Sequence, residues 1–257
     1  MNVKAKKHLG QHFLTDENIA KKIVEGLDFQ PYQYVLEVGP GTGVLTKYLL
    51  EKPTKTYVAE IDTESIEYLK LHYQKLENKH FTGDFLKINL SDAFSGEVAV
   101  IGNFPYNISS QILFKIIENY QQIPEMVGMF QKEVAERTAA VPRTKDYGIL
   151  SVLVQAYYDV KYLFTVHENV FNPPPKVKSG VIKLTRNRKE GLEGNEILFK
   201  QIVKTGFGQR RKKLSNALKS LDIPEVLKSH AFMDKRAEEL SVEDFINFTQ
   251  EWKAAKN

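Results

Sequence analysis

The chain has no cysteine among its 257 residues. That excludes disulfides, thiolate metal sites and a cysteine nucleophile, and it agrees with a reducing, cytoplasmic setting. Long apolar runs are missing as well. The first seven residues are basic, but no extended hydrophobic region follows, so no secretory leader is expected. No run approaches the roughly 20 apolar residues that span a bilayer. Internal repeats and low-complexity tracts are absent. Net charge is small, +4, but it is unevenly placed. Lysine and arginine crowd the stretch from Arg186 to Lys219, opposed only by Glu190, Glu193 and Glu196. Such an asymmetry points to a polyanionic partner, although a solvated helix face is the more ordinary meaning of a charge run. The length accommodates one large domain with a small appendage, and the chain is expected to act as a monomer.

What is present centres on Gly102-Asn103-Phe104-Pro105-Tyr106-Asn107-Ile108-Ser109. The apolar run Val98–Ile101 before it reads as a short buried strand, which Asn103 to Tyr106 then breaks. A side-chain amide, a proline-restricted backbone and an aromatic ring thus meet just past a strand's carboxyl end, where open α/β sheets bind ligands. An exocyclic amino group carries two N–H donors. The Asn103 side-chain oxygen can accept one, and the Phe104 or the Pro105 carbonyl the other. Two acceptors draw the amino lone pair out of ring conjugation toward a nucleophilic geometry, while Tyr106 stacks on the base. Taken alone, the four residues read better as a strand end followed by an ordinary Asn/Pro turn.

Upstream, Tyr34–Val38 reads as a strand, Gly39-Pro40-Gly41-Thr42-Gly43 as a glycine loop and Val44–Leu50 as a helix. Gly39 and Gly41 let the backbone approach a ligand closely. A second strand over Thr56–Asp62 carries Glu60, Ile61 and Asp62 at its end, about 20 residues on, the spacing of a carboxylate that takes a ribose diol. Glu37, just before the glycines, is awkward beside phosphates but suits a cationic ligand such as the sulfonium of S-adenosylmethionine. Asp84 follows a short strand and can read an adenine amino group, with Phe85 as a flanking ring; a turn cap is its commoner fate.

Elsewhere, Lys4–His12 reads as a basic, glycine-broken arm anchored by Phe13-Leu14, with Thr15 capping the next helix. The stretch Phe171-Asn172-Pro173-Pro174-Pro175 is a stiff wall, and Phe171 at its root is a candidate second face of a base slot opposite Tyr106. Composition turns charged near residues 186–196, and a domain boundary is placed there. Beyond it the chain reads as helical, over Leu198–Gly206, about Arg210–Leu221, and Val242–Ala254 capped by Ser241. Four cations, Arg210, Arg211, Lys212 and Lys213, stand at a helix start against the helix dipole, which makes sense if they meet phosphates.

In order and spacing these motifs resemble the ribosomal RNA adenine N6,N6-dimethyltransferases of the small subunit over nearly the whole chain. They are Gly10-Gln11-His12-Phe13-Leu14, Glu37–Gly43, Asn103–Ser109, Phe171–Ser179 and Phe207–Lys212. The resemblance implies an α/β fold, a Rossmann-like seven-stranded S-adenosylmethionine-dependent methyltransferase domain over residues 1–187 and a small all-helical RNA-binding domain over 188–257. It places the cofactor on His12, Leu14, Gly39, Glu60, Asp84 and Asn103, with Glu60 on the ribose hydroxyls. The target adenine falls between Tyr106 and Phe171, and Lys176 and Lys178 lie toward the RNA. The implied substrate is the 3′-terminal hairpin loop of small-subunit rRNA within an immature subunit, with no metal and no membrane involved. Three positions depart from the family pattern. His12 stands where Asn is usual, making that contact pH-sensitive. Phe104 replaces the usual Leu, and Lys178 a common Asp. The alternatives are a large-subunit rRNA methylase of the antibiotic-resistance type, which shares the catalytic motif, a non-catalytic RNA-binding assembly factor, and a nicotinamide dehydrogenase.

Overall fold

A computed structural model describes residues 3–76 and 80–256. The chain divides into two compact units, Met1–Ala135 with Asp159–Arg186, and Glu136–Tyr158 with Asn187–Asn257. The single cut expected at 187/188 therefore becomes three crossings. The reason is Tyr147. It is fully buried, its ring 5.9 Å from that of Phe207, and its hydroxyl donates to the Leu240 carbonyl at 3.0 Å. An apolar stretch that near in sequence to the sheet belongs to the helical core.

Among the described residues the first unit holds nine strands: β1 (Phe13–Leu14), β2 (Tyr34–Val38), β3 (Lys55–Glu60), β4 (His80–Thr82), β5 (Val98–Asn103), β6 (Glu125–Gln131), β7 (Tyr158–Val166), β8 (Phe171–Asn172) and β9 (Ser179–Arg186). Seven form one sheet in the order β4-β3-β2-β5-β6-β9-β7. From β4 to β6 neighbours are parallel, and β9 runs antiparallel to β6. The central strands are near-continuous apolar runs: Val35, Leu36 and Val98 to Ile101 are all buried, as sheets covered on both faces require. The helix Ser109–Glu118 buries Ile112, Leu113 and Ile116.

Two local expectations change. Asp16, not Thr15, caps the helix Glu17–Val24, accepting from the Asn18 and Ile19 amides. Thr15 instead donates through both its amide and hydroxyl to the Val170 carbonyl, each at 2.9 Å, and so prolongs the antiparallel β1–β8 pair. In the second unit no helix runs over residues 210–221. The long helices are Glu196–Gly208 and Val242–Ala254, the latter capped by Ser241 and Asp244; between them lie the short α-helix Leu214–Ala217 and the 3-10 turns Glu225–Leu227, Ala231–Asp234 and Ala237–Glu239.

Candidate active site

The strand order reverses beside β2, and ligand sites of open α/β sheets lie off the carboxyl ends of the strands at such a point. Gly39 follows the last residue of β2, Glu60 ends β3, Asp84 follows β4 by two residues, and Asn103 ends β5. One topological feature therefore brings four residues far apart in sequence to one edge.

Two adjoining cavities open there. One, about 220 Å3, is lined by Glu60, Ile61, Gly83, Asp84 and Phe85. The other is lined by Gly39, Gly41, Glu60, Asn103, Phe104 and Tyr106, with Leu9 to Phe13 of the arm across it. Gly39 and Gly41 both have positive φ, +69° and +56°. A Cβ on Gly41 would also come within 2.7 Å of the Phe13 ring. Phe13 is thus a site residue that the sequence reading took only for an anchor.

Glu60 is buried, and its carboxylate accepts from the amides of Gly41 (3.1 Å), Ile61 (2.9 Å) and Asp62 (2.9 Å). Burial raises its pKa in spite of those three donors. Three bonds leave a carboxylate about one further acceptor position, so the group that fastens the glycine loop retains capacity for a hydroxyl. Ile61 beside it is 53% exposed, an apolar surface at the cavity mouth. Asp84 uses one oxygen to cap Leu86 at 2.9 Å, and the other has no partner among the described residues. Phe85 is buried and forms wall rather than an open stacking face. Glu37 lines neither cavity. It is 1% exposed, holds Thr46 Oγ1 at 2.6 Å, and burial pushes its carboxyl up to about 8, with the Thr46 bond opposing. Its geometry is that of a brace between β2 and the following helix, not of a direct ligand contact. Leu14 is likewise a core residue, 3% exposed.

At the Asn103 end, Nδ2 donates to the His12 carbonyl at 2.8 Å. This fixes the amide plane and leaves Oδ1 without a partner among the described residues. Of the two carbonyls open from sequence, Pro105's is taken. The turn Tyr106–Ile108 closes on it through the Ile108 amide at 3.3 Å. The Phe104 carbonyl accepts nothing among the described residues. Its ring is buried 4.9 Å from that of Phe130, so its main chain is what it presents to the cavity. Pro105 is the rigid corner, and Phe104 carries the acceptor.

The base slot also differs from expectation. Phe171 is 4% exposed and packs in an apolar cluster with Leu14, Ile23, Val24 and Val181. The pairing Leu14↔Phe171 explains this, since a core side chain on β1 brings its partner on β8 to the same face. The ring that faces Tyr106 is His12's, at 5.6 Å and 26°. Lys176 and Lys178 are exposed and make no ion pair among the described residues. In the other unit, the basic run splits. Arg210 is bound to Glu238 and to the carbonyls of Lys145 (2.8 Å) and Thr144 (3.0 Å), so it clamps a loop. Lys213 pairs with Asp234 at 2.9 Å on the surface. Arg211 and Lys212 are exposed with no ion pair among the described residues.

The donor set fits S-adenosylmethionine: a glycine cradle, a buried acid beside an exposed isoleucine, a second acid with a free oxygen, and no lysine or arginine for a pyrophosphate among the named lining residues. A family model described as "Ribosomal RNA adenine dimethylase" matches residues 2–254. The chain is 59% identical over 253 residues to a "Ribosomal RNA small subunit methyltransferase A" of Flavobacterium johnsoniae, covering 98% of this chain and 97% of that protein. It is 57% identical to one of the same name from Cytophaga hutchinsonii, covering 96% of each. Among solved structures, a dimethyladenosine transferase from Plasmodium falciparum superposes with a TM-score of 0.84 at 27% identity, over 95% of this chain and 98% of that one. The 23S rRNA methyltransferase ErmE superposes with 0.71 at 25% identity, over 94% and 99%. The chain belongs to the ribosomal RNA adenine dimethylase family, S-adenosylmethionine-dependent methyltransferases of rRNA adenine.

Proposed function

We propose that the chain methylates N6 of two adjacent adenosines in the 3′-terminal hairpin loop of small-subunit rRNA, giving N6,N6-dimethyladenosine while the subunit is still immature. The observation that carries this reading is the Asn103 amide, turned by the His12 carbonyl so that Oδ1 is open beside the free Phe104 carbonyl. When bound, S-adenosylmethionine would supply an electrophilic methyl group for N6, with its bonding pair retained by sulfur and the N6 proton passing to water. The chain's residues position and polarise. Asn103 Oδ1 and the Phe104 carbonyl accept the two N6–H bonds, and Tyr106 holds the base face. Glu60 takes a ribose hydroxyl, Asp84 the cofactor's adenine amino group, and Ile61 lies against that ring. Gly39 and Gly41 keep the loop close. His12 and Leu14 contribute through the arm's main chain, whose carbonyl at His12 orients Asn103.

In this reading the first unit is catalytic, and the second, with the first unit's Lys176 and Lys178, binds RNA through Arg211 and Lys212. The protein works as a cytoplasmic monomer. The similarity to small-subunit methyltransferases over almost the full length supports the target.

The test is methyl transfer from labelled S-adenosylmethionine to small subunits lacking the modification, followed by nucleoside mapping. Two adjacent dimethyladenosines near the 3′ end are expected. Transfer to large-subunit RNA instead would assign the resistance-type activity, and binding without transfer would assign an assembly factor.

A further inference from the structure

The N-terminal arm is fastened at two ends. At one, β1 pairs with β8, and the His12 Nδ1 donates to the Pro173 carbonyl at 2.7 Å. At the other, Lys6 and Gln11 converge on Asp62, just past the end of β3. The Lys6 ammonium donates to Asp62 Oδ1 and lies 3.3 Å from Glu64 Oε1. Gln11 Nε2 donates to Asp62 Oδ2 at 3.4 Å, and its Oε1 accepts from the Lys6 amide at 2.8 Å. The turn Lys7–Leu9, followed by Gly10 at φ +66°, closes this loop. Between the fastenings, Leu9 lines both cavities. A molecule reaching from Asp84 and Glu60 to Asn103 passes beneath it.

The two ends differ in kind. The β1–β8 end sets Leu14 and Phe171 into the core. No residue from Val3 to Phe13 is buried, so polar contacts hold the Lys6 end. Asp62, with its side chain wholly enclosed, also has partners of its own. It caps the helix Thr63–His72, accepting from the Glu64 amide at 3.3 Å and from Ser65 Oγ at 3.0 Å. Its amide donates to Glu60. The arm can therefore leave Asp62 without unfolding the helix that Asp62 caps.

We infer that Lys6 latches the arm as a strap over the cofactor site, hinged at β1 and opened at Asp62, and that this latch gates entry and release of the cofactor. The inference rests on the cofactor site proposed above. Lys6 lines neither cavity and is a positioning residue, acting through the span from Leu9 to Gln11. Each methyl transfer consumes one cofactor, so the strap opens once per transfer.

The test follows binding and release of S-adenosylmethionine by stopped-flow, through the tyrosine emission of the full chain without RNA. Loss of a latch speeds entry and release together, because both pass through the open form. Loss of a ligand contact speeds release alone. Lys6→Ala is expected to raise both rates about 3- to 10-fold, the worth of a partly exposed charge-assisted bond. Lys6→Arg keeps the charge and is expected to hold both rates within about twofold. The chain has no cysteine, so Lys6→Cys with Glu64→Cys makes a reversible lock. Bridged by a short reducible bis-maleimide, this variant is expected to bind and release more slowly than the parent; with the bridge reduced, it should match Lys6→Ala. Unchanged rates in Lys6→Ala overturn the inference. So does faster release with unchanged entry, and so do unslowed rates in the bridged protein. Failure of the unsubstituted protein to bind S-adenosylmethionine would instead overturn the cofactor site.

Discussion

Asn103 matters through both ends of its amide. In the proposed function Oδ1 is the acceptor for the substrate, and Nδ2 makes the bond to the His12 carbonyl that aims it. An aspartate would keep an acceptor but set a carboxylate oxygen against the His12 carbonyl. Asn103→Asp is therefore expected to lower kcat on the order of 10²-fold, as loss of a preorganised transition-state contact does. Steady-state methyl transfer would measure this, and near-normal kcat would show that the amide's aim is unimportant. Glu37 offers a pH test. Its folded pKa of about 8 lies above the ordinary value of 4.5, because burial disfavours the charged form. The folded chain thus binds a proton that the unfolded chain releases between those values, and stability from this group falls as pH rises through the window. Glu37→Gln cannot ionise. It is expected to melt with the parent near pH 5 and several degrees above it at pH 9, at about 2–4 °C per kcal/mol. Parallel melting curves across that range would refute the assignment.

Strands β5 and β6 bring Gly102 and Gly128 into register, and the Phe104 ring fills the space two absent side chains leave. A Cβ on Gly128 would sit 2.2 Å from that ring, and one on Gly102 would sit 2.9 Å from it. Phe104, read from sequence as a departure from the family pattern, thus has its ring in the sheet and its main chain toward the cavity. Overpacking costs about 1–3 kcal/mol. Gly128→Ala is expected to lower the melting temperature accordingly, and adding Phe104→Leu to recover part of the loss. Calorimetry on the single and double variants checks this; additive losses would mean the two positions do not share one space. The β1–β8 pair works similarly as a unit, since it buries Leu14 and Phe171 together while carrying His12 to the site.

Across the molecule, the basic run separates into clamp and free charge. Arg210→Ala removes a carboxylate partner and two carbonyl contacts. It is expected to lower thermal stability. The double substitution Arg211→Ala and Lys212→Ala touches no ion pair among the described residues and should leave melting unchanged. Each phosphate contact adds roughly 0.7–0.9 to the slope of log affinity against log salt. The double variant should therefore bind RNA more weakly at all sequences, with a shallower slope by about 1–2. An unchanged slope would remove these two residues from the RNA surface.

Local order carried much of this. The strand, glycine loop and helix from Tyr34 onward, the acid ending β3, the Ser241 cap and the break at Asn103 all follow from spacing and short-range sterics, which act between near neighbours. The spacing of the whole motif series was enough to place the chain in its family. Four points were beyond reach of spacing: that Phe171 turns inward, that His12 meets Tyr106, that Arg210 is bound, and that residues 136–158 join the helical unit. Each depends on a partner far along the chain, 161 residues away for His12 and Pro173 and 93 for Tyr147 and Leu240. Periodicity says which face of an element is apolar, but which distant group covers that face, or satisfies a given donor, is settled only when the chain closes on itself.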